Sequence, residues 1–263
     1  MRNIFTLLYK RCLLKQAVDL KENKEYNYIY KALNYITLEV CAVDEALKSC
    51  VLKKVERTRE NLRKNNIESF YVQNREQVLP LLKQLIKPGS TVSAGGSVTL
   101  SECNVLEFLK SGQFNYLDRY EPGLTRPQIE EIFRKSFFAD VYVSSSNAIT
   151  EKGELFNVDG NSNRVAAILY GPKEVILVCG INKIVSDLDA AVSRLKTLAA
   201  PANSTRLGCD TPCEKTGKCA GVNGGMTDGC ASDARICCNY VVSAKQRHLN
   251  RIKVIFVGES LGY

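Results

Sequence analysis

Six of the chain's eleven cysteines, Cys209, Cys213, Cys219, Cys230, Cys237 and Cys238, fall within one stretch of 30 residues. Thiols at that density become metal ligands in a reducing compartment and disulfides in an oxidising one. The sequence points to the first. The apolar run Ile4–Tyr9 is too short for a secretory leader, and Lys10-Arg11 ends it. The stretch is also rich in glycine and poor in apolar residues. It therefore offers little core in which free thiols could simply be buried.

A second chemical signal is Val92-Ser93-Ala94-Gly95-Gly96-Ser97-Val98-Thr99, where an apolar strand runs into two glycines and then a helix. Glycines let the backbone approach a ligand closely, and hydroxyls such as Ser97 and Thr99 add donors beside a phosphate or carboxylate. The segment lacks the lysine of a P-loop and the full spacing of a dinucleotide fingerprint. An ordinary strand–helix turn uses the same residues.

The third signal follows another strand. Ser144-Ser145-Ser146-Asn147 leads on to Glu154 and then to Asn157-Val158-Asp159-Gly160-Asn161-Ser162-Asn163-Arg164. Ligands in open α/β sheets sit beyond the carboxyl ends of strands. There Asn147, Asn161 and Asn163 can both donate and accept, and Arg164 can hold an anion in a bidentate fork. Turn formation also uses Asn, Asp and Gly, and it accounts well for Asp159-Gly160. Finally, Lys183 emerges from the apolar strand ending at Cys179-Gly180. It is a candidate anion ligand or, if desolvated, a base. Asn147 and Lys183 are the two candidates for catalysis. The one histidine, His248, lies in a polar connection and reads as a solvated side chain.

The elements that must hold these residues alternate. A helix is expected from Asp44 to about Lys64, with Ala46, Val51, Val55 and Leu62 roughly on one face. A strand follows at Ile67–Val72, then a helix over Asn74–Ile86 that Pro80 should kink or delay. Thr91–Ala94 reads as a strand and Thr99–Lys110 as one helix. Thr125 caps a helix over Arg126–Phe138, with acidic residues early and basic ones late, as the helix dipole prefers. Val141–Ser144 and the continuous apolar run Glu174–Cys179 read as strands, Asp187–Ala199 as a helix, and Arg251–Val257 as a last strand. The pattern predicts an α/β fold, a mainly parallel sheet flanked by helices.

Bulk properties narrow the function. Of 263 residues, 45% are hydrophobic and 24% charged, which suits a folded domain rather than a disordered chain. The net charge of +8 invites a nucleic-acid reading, but residues 1–66 hold 14 Lys+Arg against 8 Asp+Glu, so only +2 belongs to the remaining 197. No basic stripe or aromatic RNA-reading motif accompanies that remainder, so a nucleic-acid partner is not expected. No run is long and apolar enough to span a bilayer. A cytoplasmic location is expected. Residues 1–43 read as an extension: a helical arm, an organellar presequence, or residues ahead of the true start.

The ordered set of segments resembles the lactate-utilisation (LUD) domain. It comprises Ser93–Ser101, Leu117-Asp118-Arg119-Tyr120, Ser146–Arg164, Tyr170-Gly171-Pro172-Lys173, Gly180–Val185, Ala199-Ala200-Pro201, Arg206-Leu207-Gly208, Thr211–Cys219, Arg235-Ile236-Cys237 and Val257–Gly262. The resemblance covers roughly residues 44–263, including a Cys-rich segment at 206–240. It implies a fold similar to the ribose-phosphate isomerase and CoA-transferase group, with a Cys-rich C-terminal insertion. In that group a glycine loop binds phosphate or carboxylate, and a polar residue after a later strand does the chemistry. Asn147 stands where related enzymes carry an acid, and an amide cannot serve as a carboxylate base.

The resemblance also selects Cys213, Cys219, Cys230 and Cys237, the positions that match the cysteines of longer members, with Ala220–Gly229 as an insertion between the second and third. Four thiolates suit zinc or an iron–sulfur cluster, and the spacing does not choose between them. Together with the residue chemistry above, the resemblance points to a ligand site built from Gly95, Gly96, Ser97, Thr99, Asn147, Glu154, Asn161, Asn163, Arg164 and Lys183 for a small anionic metabolite. It further implies a part in oxidising lactate or another 2-hydroxy acid beside iron–sulfur oxidoreductase subunits. Two other readings stay open: a stand-alone enzyme on a small phosphorylated or carboxylated metabolite or CoA ester, and a non-enzymatic sensor stabilised by zinc.

Overall fold

The computed structural model describes residues 45–263. The extension 1–43 and the expected cap Asp44 lie outside them. The chain divides into two units, 1–52 and 53–263, and both sheets belong to the second. Residues 45–64 are helical (α1). Within the second unit α1 buries Val55, Thr58 and Leu62, an i, i+3, i+7 stripe.

Six strands form one parallel sheet: β1 (Glu68–Val72), β2 (Thr91–Ala94), β3 (Asn115–Leu117), β4 (Val141–Ser144), β7 (Glu174–Gly180) and β10 (Ile252–Val257), in the order β1-β10-β7-β4-β2-β3. Every pairing in it is parallel. β7 is central, and its run Val175–Cys179 is fully buried, as a strand covered on both faces must be. One face packs Val92, Val143, Ile176, Val178 and Ile255 against Leu82, Ile86, Val105 and Leu109 from the flanking helices. The expected α/β fold with a mainly parallel sheet is therefore the observed one. Among the described residues, no helix is long and apolar enough to cross a membrane.

One expected helix starts late, as Pro80 implies, and two others are broken, each for a local reason. Residues 75–86 begin with a 3-10 turn, and the α-helix proper runs Val78–Leu85 (α2), with Pro80 in its first turn where a missing N–H costs nothing. The helix expected over Thr99–Lys110 is two short ones, Val98–Glu102 (α3) and Val105–Leu109 (α4). Asn104 separates them in the left-handed region at φ 53°, which Asn tolerates better than most residues. The helix expected over Asp187–Ala199 starts as read, with Asp187 accepting from the Ala190 amide at 2.8 Å. It then passes from Leu188–Arg194 (α6, with α5 at Arg126–Lys135) through a π turn at Leu195–Ala199 into Ala200–Leu207. Pro201 cannot donate to the ladder at that join, and a π turn absorbs such a gap.

A second sheet occupies what the sequence suggests is loop. β5 (Ala148–Thr150), β6 (Leu155–Asp159), β8 (Ile184–Val185) and β9 (Asn239–Ser243) pair in the order β8-β5-β6-β9. The β5–β6 hairpin is docked on α1: Asn61 Nδ2 donates to the Glu151 carbonyl at 2.8 Å, and Asn65 Nδ2 to the Gly153 carbonyl at 3.0 Å. Gly153 turns the hairpin at φ +83°, and a Cβ there would lie 2.7 Å from the Asn61 backbone. Gly153→Ala is therefore expected to cost about 2 kcal/mol or more, a fall in Tm of roughly 4–8 °C, readable by thermal denaturation.

Candidate functional site

β2, β4, β7 and β10 run parallel, so their carboxyl ends share one edge of the sheet. The loops leaving that edge surround a cleft of about 830 Å³. Lys183 lies at its floor, in the 3-10 turn Ile181–Lys183 just after β7. It is only 3% exposed. Its Nζ donates to Thr99 Oγ1 at 3.0 Å and to Ser145 Oγ at 2.9 Å. Both partners are neutral hydroxyls, so no carboxylate balances the buried charge there. Burial pushes the ammonium down to about 8, helped by the positive Arg194 and Arg164 and opposed by Cys179 and Glu102. Asn182 locks the turn against the C-terminal segment, accepting from the Leu261 amide at 3.1 Å and donating to the Gly262 carbonyl at 3.2 Å.

Ser145, Ser146 and Asn147 follow β4. Asn147 Oδ1 accepts from the Val158 amide at 2.9 Å and from Arg164 Nη2 at 2.8 Å. Its carbonyl accepts from Arg194 Nη1 at 2.8 Å. The Asn147 Nδ2 group is thus the open donor of that side chain. Arg164 lines the cleft too, yet all five of its N–H groups are taken within the protein. Nε donates to Asp159 at 2.9 Å. Nη1 reaches the Ser145 carbonyl at 2.9 Å and Asn157 Oδ1 at 2.7 Å, and Nη2 reaches Asn147 and the Val158 carbonyl. In this arrangement Arg164 orients Ser145 and Asn147 instead of presenting a free fork to a ligand.

The glycine pair is explained by close approach. A Cβ on Gly95 would sit 2.5 Å from Ser144 Oγ and 3.0 Å from Tyr142 Oη, and one on Gly96 would sit 2.5 Å from Arg119 Nη2. Arg119 lies 4.7 Å above the Tyr120 ring and 5.3 Å from the Phe133 ring. Among the described residues its side chain bonds only Tyr120 Oη, at 2.7 Å. It lines the cleft with donors to spare.

Of the residues chosen from sequence, Gly96, Ser97, Asn147, Asn161, Asn163, Arg164 and Lys183 border the cleft. Gly95 is not among the residues bordering it, and Thr99 is a buried partner of Lys183. Glu154 is not brought to the cleft; it closes the β5–β6 turn, its Oε2 accepting from Thr150 Oγ1 at 2.8 Å. Arg119 and Ser145 were not singled out by residue chemistry. Arg119 stood in a segment that carried the family resemblance and Ser145 in the polar run after β4, and only the fold shows them facing Lys183's cleft. His248 belongs to the opposite end of the sheet, in the connection that enters β10.

The cysteines do not gather. Cys237 and Cys238 border the cleft, while Cys213, Cys219 and Cys230 do not. Cys213 Sγ contacts Ser204 Oγ at 3.5 Å and Thr211 Oγ1 at 3.4 Å. Among the described residues, no three of His, Cys, Asp and Glu are placed to hold a metal. The thiolate set as arranged therefore does not fit zinc or an iron–sulfur cluster. What orders the segment is cations on carbonyls. Arg235 binds the carbonyls of Thr227, Cys230 and Cys237, and the buried Lys196 ammonium sits among those of Gly221, Gly224 and Gly225 at 2.5–3.3 Å. Lys196→Ala is expected to loosen residues 220–229, read as a protease cut there at least about tenfold faster than in the parent, in line with local opening eased by the loss of a charged hydrogen-bond donor.

An α/β sheet with a cationic, hydroxyl-lined cleft at its strand ends defines the class of protein. The LUD-domain pattern matches residues 55–257, and the chain belongs to the LUD-domain family. Among solved structures it is similar to a DUF162 family protein from Deinococcus radiodurans, at 15% identity and a TM-score of 0.45, over 79% of this chain and 98% of that one. It is also similar to eIF2B beta from Chaetomium thermophilum, at 19% identity and a TM-score of 0.32, over 46% of this chain and 42% of that one. No curated protein matches the chain.

Proposed function

We propose that this chain binds a small 2-hydroxy or 2-oxo carboxylate, lactate or pyruvate in the first instance, in the cleft above Lys183. The observation that carries the reading is Lys183 itself, a 3% exposed ammonium held by two hydroxyls. A buried ammonium that touches only hydroxyls favours an anionic ligand. Two features support it. Arg119 offers free donors at the rim. The Tyr263 hydroxyl, which also lines the cleft, is buried without a hydrogen-bond partner, an arrangement a ligand oxygen would relieve. The role we assign is in lactate utilisation beside iron–sulfur oxidoreductase subunits, which the family resemblance implies and which would receive the electrons.

Calorimetry of the full chain with lactate, pyruvate, phosphate, ribose 5-phosphate and CoA tests the reading. Saturable binding of lactate or pyruvate, weakened in Arg119→Gln, is the expected result. A response to ribose 5-phosphate or CoA alone would favour a stand-alone enzyme on such substrates, and no response to any would sink both. Anaerobic purification with iron and zinc analysis addresses the cysteines separately. Iron with sulfide, lost in Cys213→Ser, would mean that the thiols gather around a cluster, and zinc lost in the same variant that they hold a structural ion.

A further inference from the structure

We propose that Ser145 is a nucleophile for acyl transfer, with Lys183 as its general base, acting on a thioester or activated ester of a small acid. Ser145 lies at the exit of β4 and Lys183 just past the exit of the neighbouring strand β7. The two side chains meet at 2.9 Å on the floor of the cleft. A nucleophile within hydrogen-bond reach of a base that is itself oriented by other groups is the arrangement covalent catalysis requires.

The proton inventory assigns the roles. The Thr99 hydroxyl donates to the Leu261 carbonyl at 3.4 Å, so toward Lys183 it accepts. The other neighbour of Ser145 Oγ is the weak partner Cys179 Sγ, at 3.6 Å. The Ser145 hydrogen is therefore available to the lone pair of a neutral Lys183, whose remaining N–H groups still serve Thr99. Both members are held. Arg164 Nη1 binds the Ser145 carbonyl, and Asn182 fixes the turn that carries Lys183.

In the first step Ser145 Oγ bonds to the acyl carbon, and its proton passes to the Lys183 amine. The carbon–sulfur bond then breaks, and the leaving thiolate takes that proton from Lys183. In the second step water attacks the acyl-serine with Lys183 again removing the proton. The serine oxygen leaves and is reprotonated, which releases the free acid. The net change is hydrolysis of a thioester to an acid and a thiol, with no oxidant needed.

The identity of the acyl group rests on the proposed function; the nucleophile does not. The test uses the full chain with p-nitrophenyl acetate and with a fluorophosphonate, followed by intact mass and peptide mapping. One adduct on Ser145 is expected. Its rate should rise about tenfold per pH unit below pH 8 and level off above it, as Lys183 gives up its proton. The groups that set that midpoint are Cys179 on β7, Arg194 on α6, Arg164 and Glu102. Ser145→Ala and Lys183→Met should each lower the rate by about 100-fold or more. No adduct, or an adduct on Lys183 or a cysteine, overturns the proposal. Lactate binding is read on the same parent protein. Its failure with the label intact removes only the acid assigned to the cleft, and loss of the label with lactate bound removes only the nucleophile.

Discussion

Lys183→Met is expected to weaken the carboxylate response and to flatten the dependence of stability on pH between 8 and 10.5. Methionine keeps the length and burial of the side chain and removes its charge. Charged hydrogen bonds contribute roughly 1.5–3 kcal/mol, so affinity for lactate or pyruvate should fall by tenfold to about 150-fold. The stability effect follows from the proton balance. Burial lowers Lys183 in the folded protein from 10.5 to about 8. Below pH 8 both states hold the proton, and the folded state bears the penalty of a buried ammonium. Between pH 8 and 10.5 the unfolded chain keeps the proton that the folded protein has released, so stability rises with pH across that window. A shift of this size corresponds to roughly 3 kcal/mol. Urea unfolding at pH 7 and pH 10 should show the parent gaining more than the Met variant by an amount of that order. Equal gains in the two proteins would mean that Lys183 titrates normally. As pH rises through 8 the parent should bind carboxylates more weakly, while Ser145 labelling climbs to its plateau. A single titration thus moves two readouts in opposite directions.

Much of the parallel sheet was legible because its strands are marked by composition. Thr91–Ala94, Val141–Ser144 and Glu174–Cys179 are apolar runs bounded by turn residues, and they fold as strands with nearly those bounds. The loops that follow them carry Ser97, Asn147 and Lys183, so the edge on which the site would form was legible too. The second sheet was not. β5 and β8 are only three and two residues long, and β6 carries Asn157 and Asp159, which look like turn chemistry. The partner of β6, β9, lies about 80 residues further on, and no local pattern reports such a contact. The cysteine segment shows the same gap from the other side. Density of thiols along the chain implied a cluster, but residues 220–229 are arranged around Lys196 and Arg235, and Cys213 lies against Ser204. Arg119 and Ser145 stood in segments whose importance was visible, while their roles depend on which loop faces which across neighbouring strands.

Arg164 is where an apparent ligand residue and a structural one can be told apart by experiment. Arg164→Lys is expected to lower stability by about 2–6 kcal/mol, roughly 1–3 for each of two buried acceptors left without a donor. The Arg164–Asp159 pair is closely shielded, at 12% and 11% side-chain exposure. The guanidinium serves Asp159, Asn157, Asn147 and the carbonyls of Ser145 and Val158 together. Lysine brings a point charge and three donors, so at least two of those acceptors would be left dry. Against a total stability of about 5–15 kcal/mol, that loss is large. Asn147 and Ser145 would lose the contacts that fix them, so ligand affinity and Ser145 labelling should fall together with stability. An arginine whose task was to clamp the ligand would behave differently. Its lysine variant would unfold at nearly the parent's urea midpoint, and only the affinity would drop. Unfolding and binding measured on the same Arg164→Lys sample therefore decide between a guanidinium that builds the floor of the cleft and one that meets the ligand.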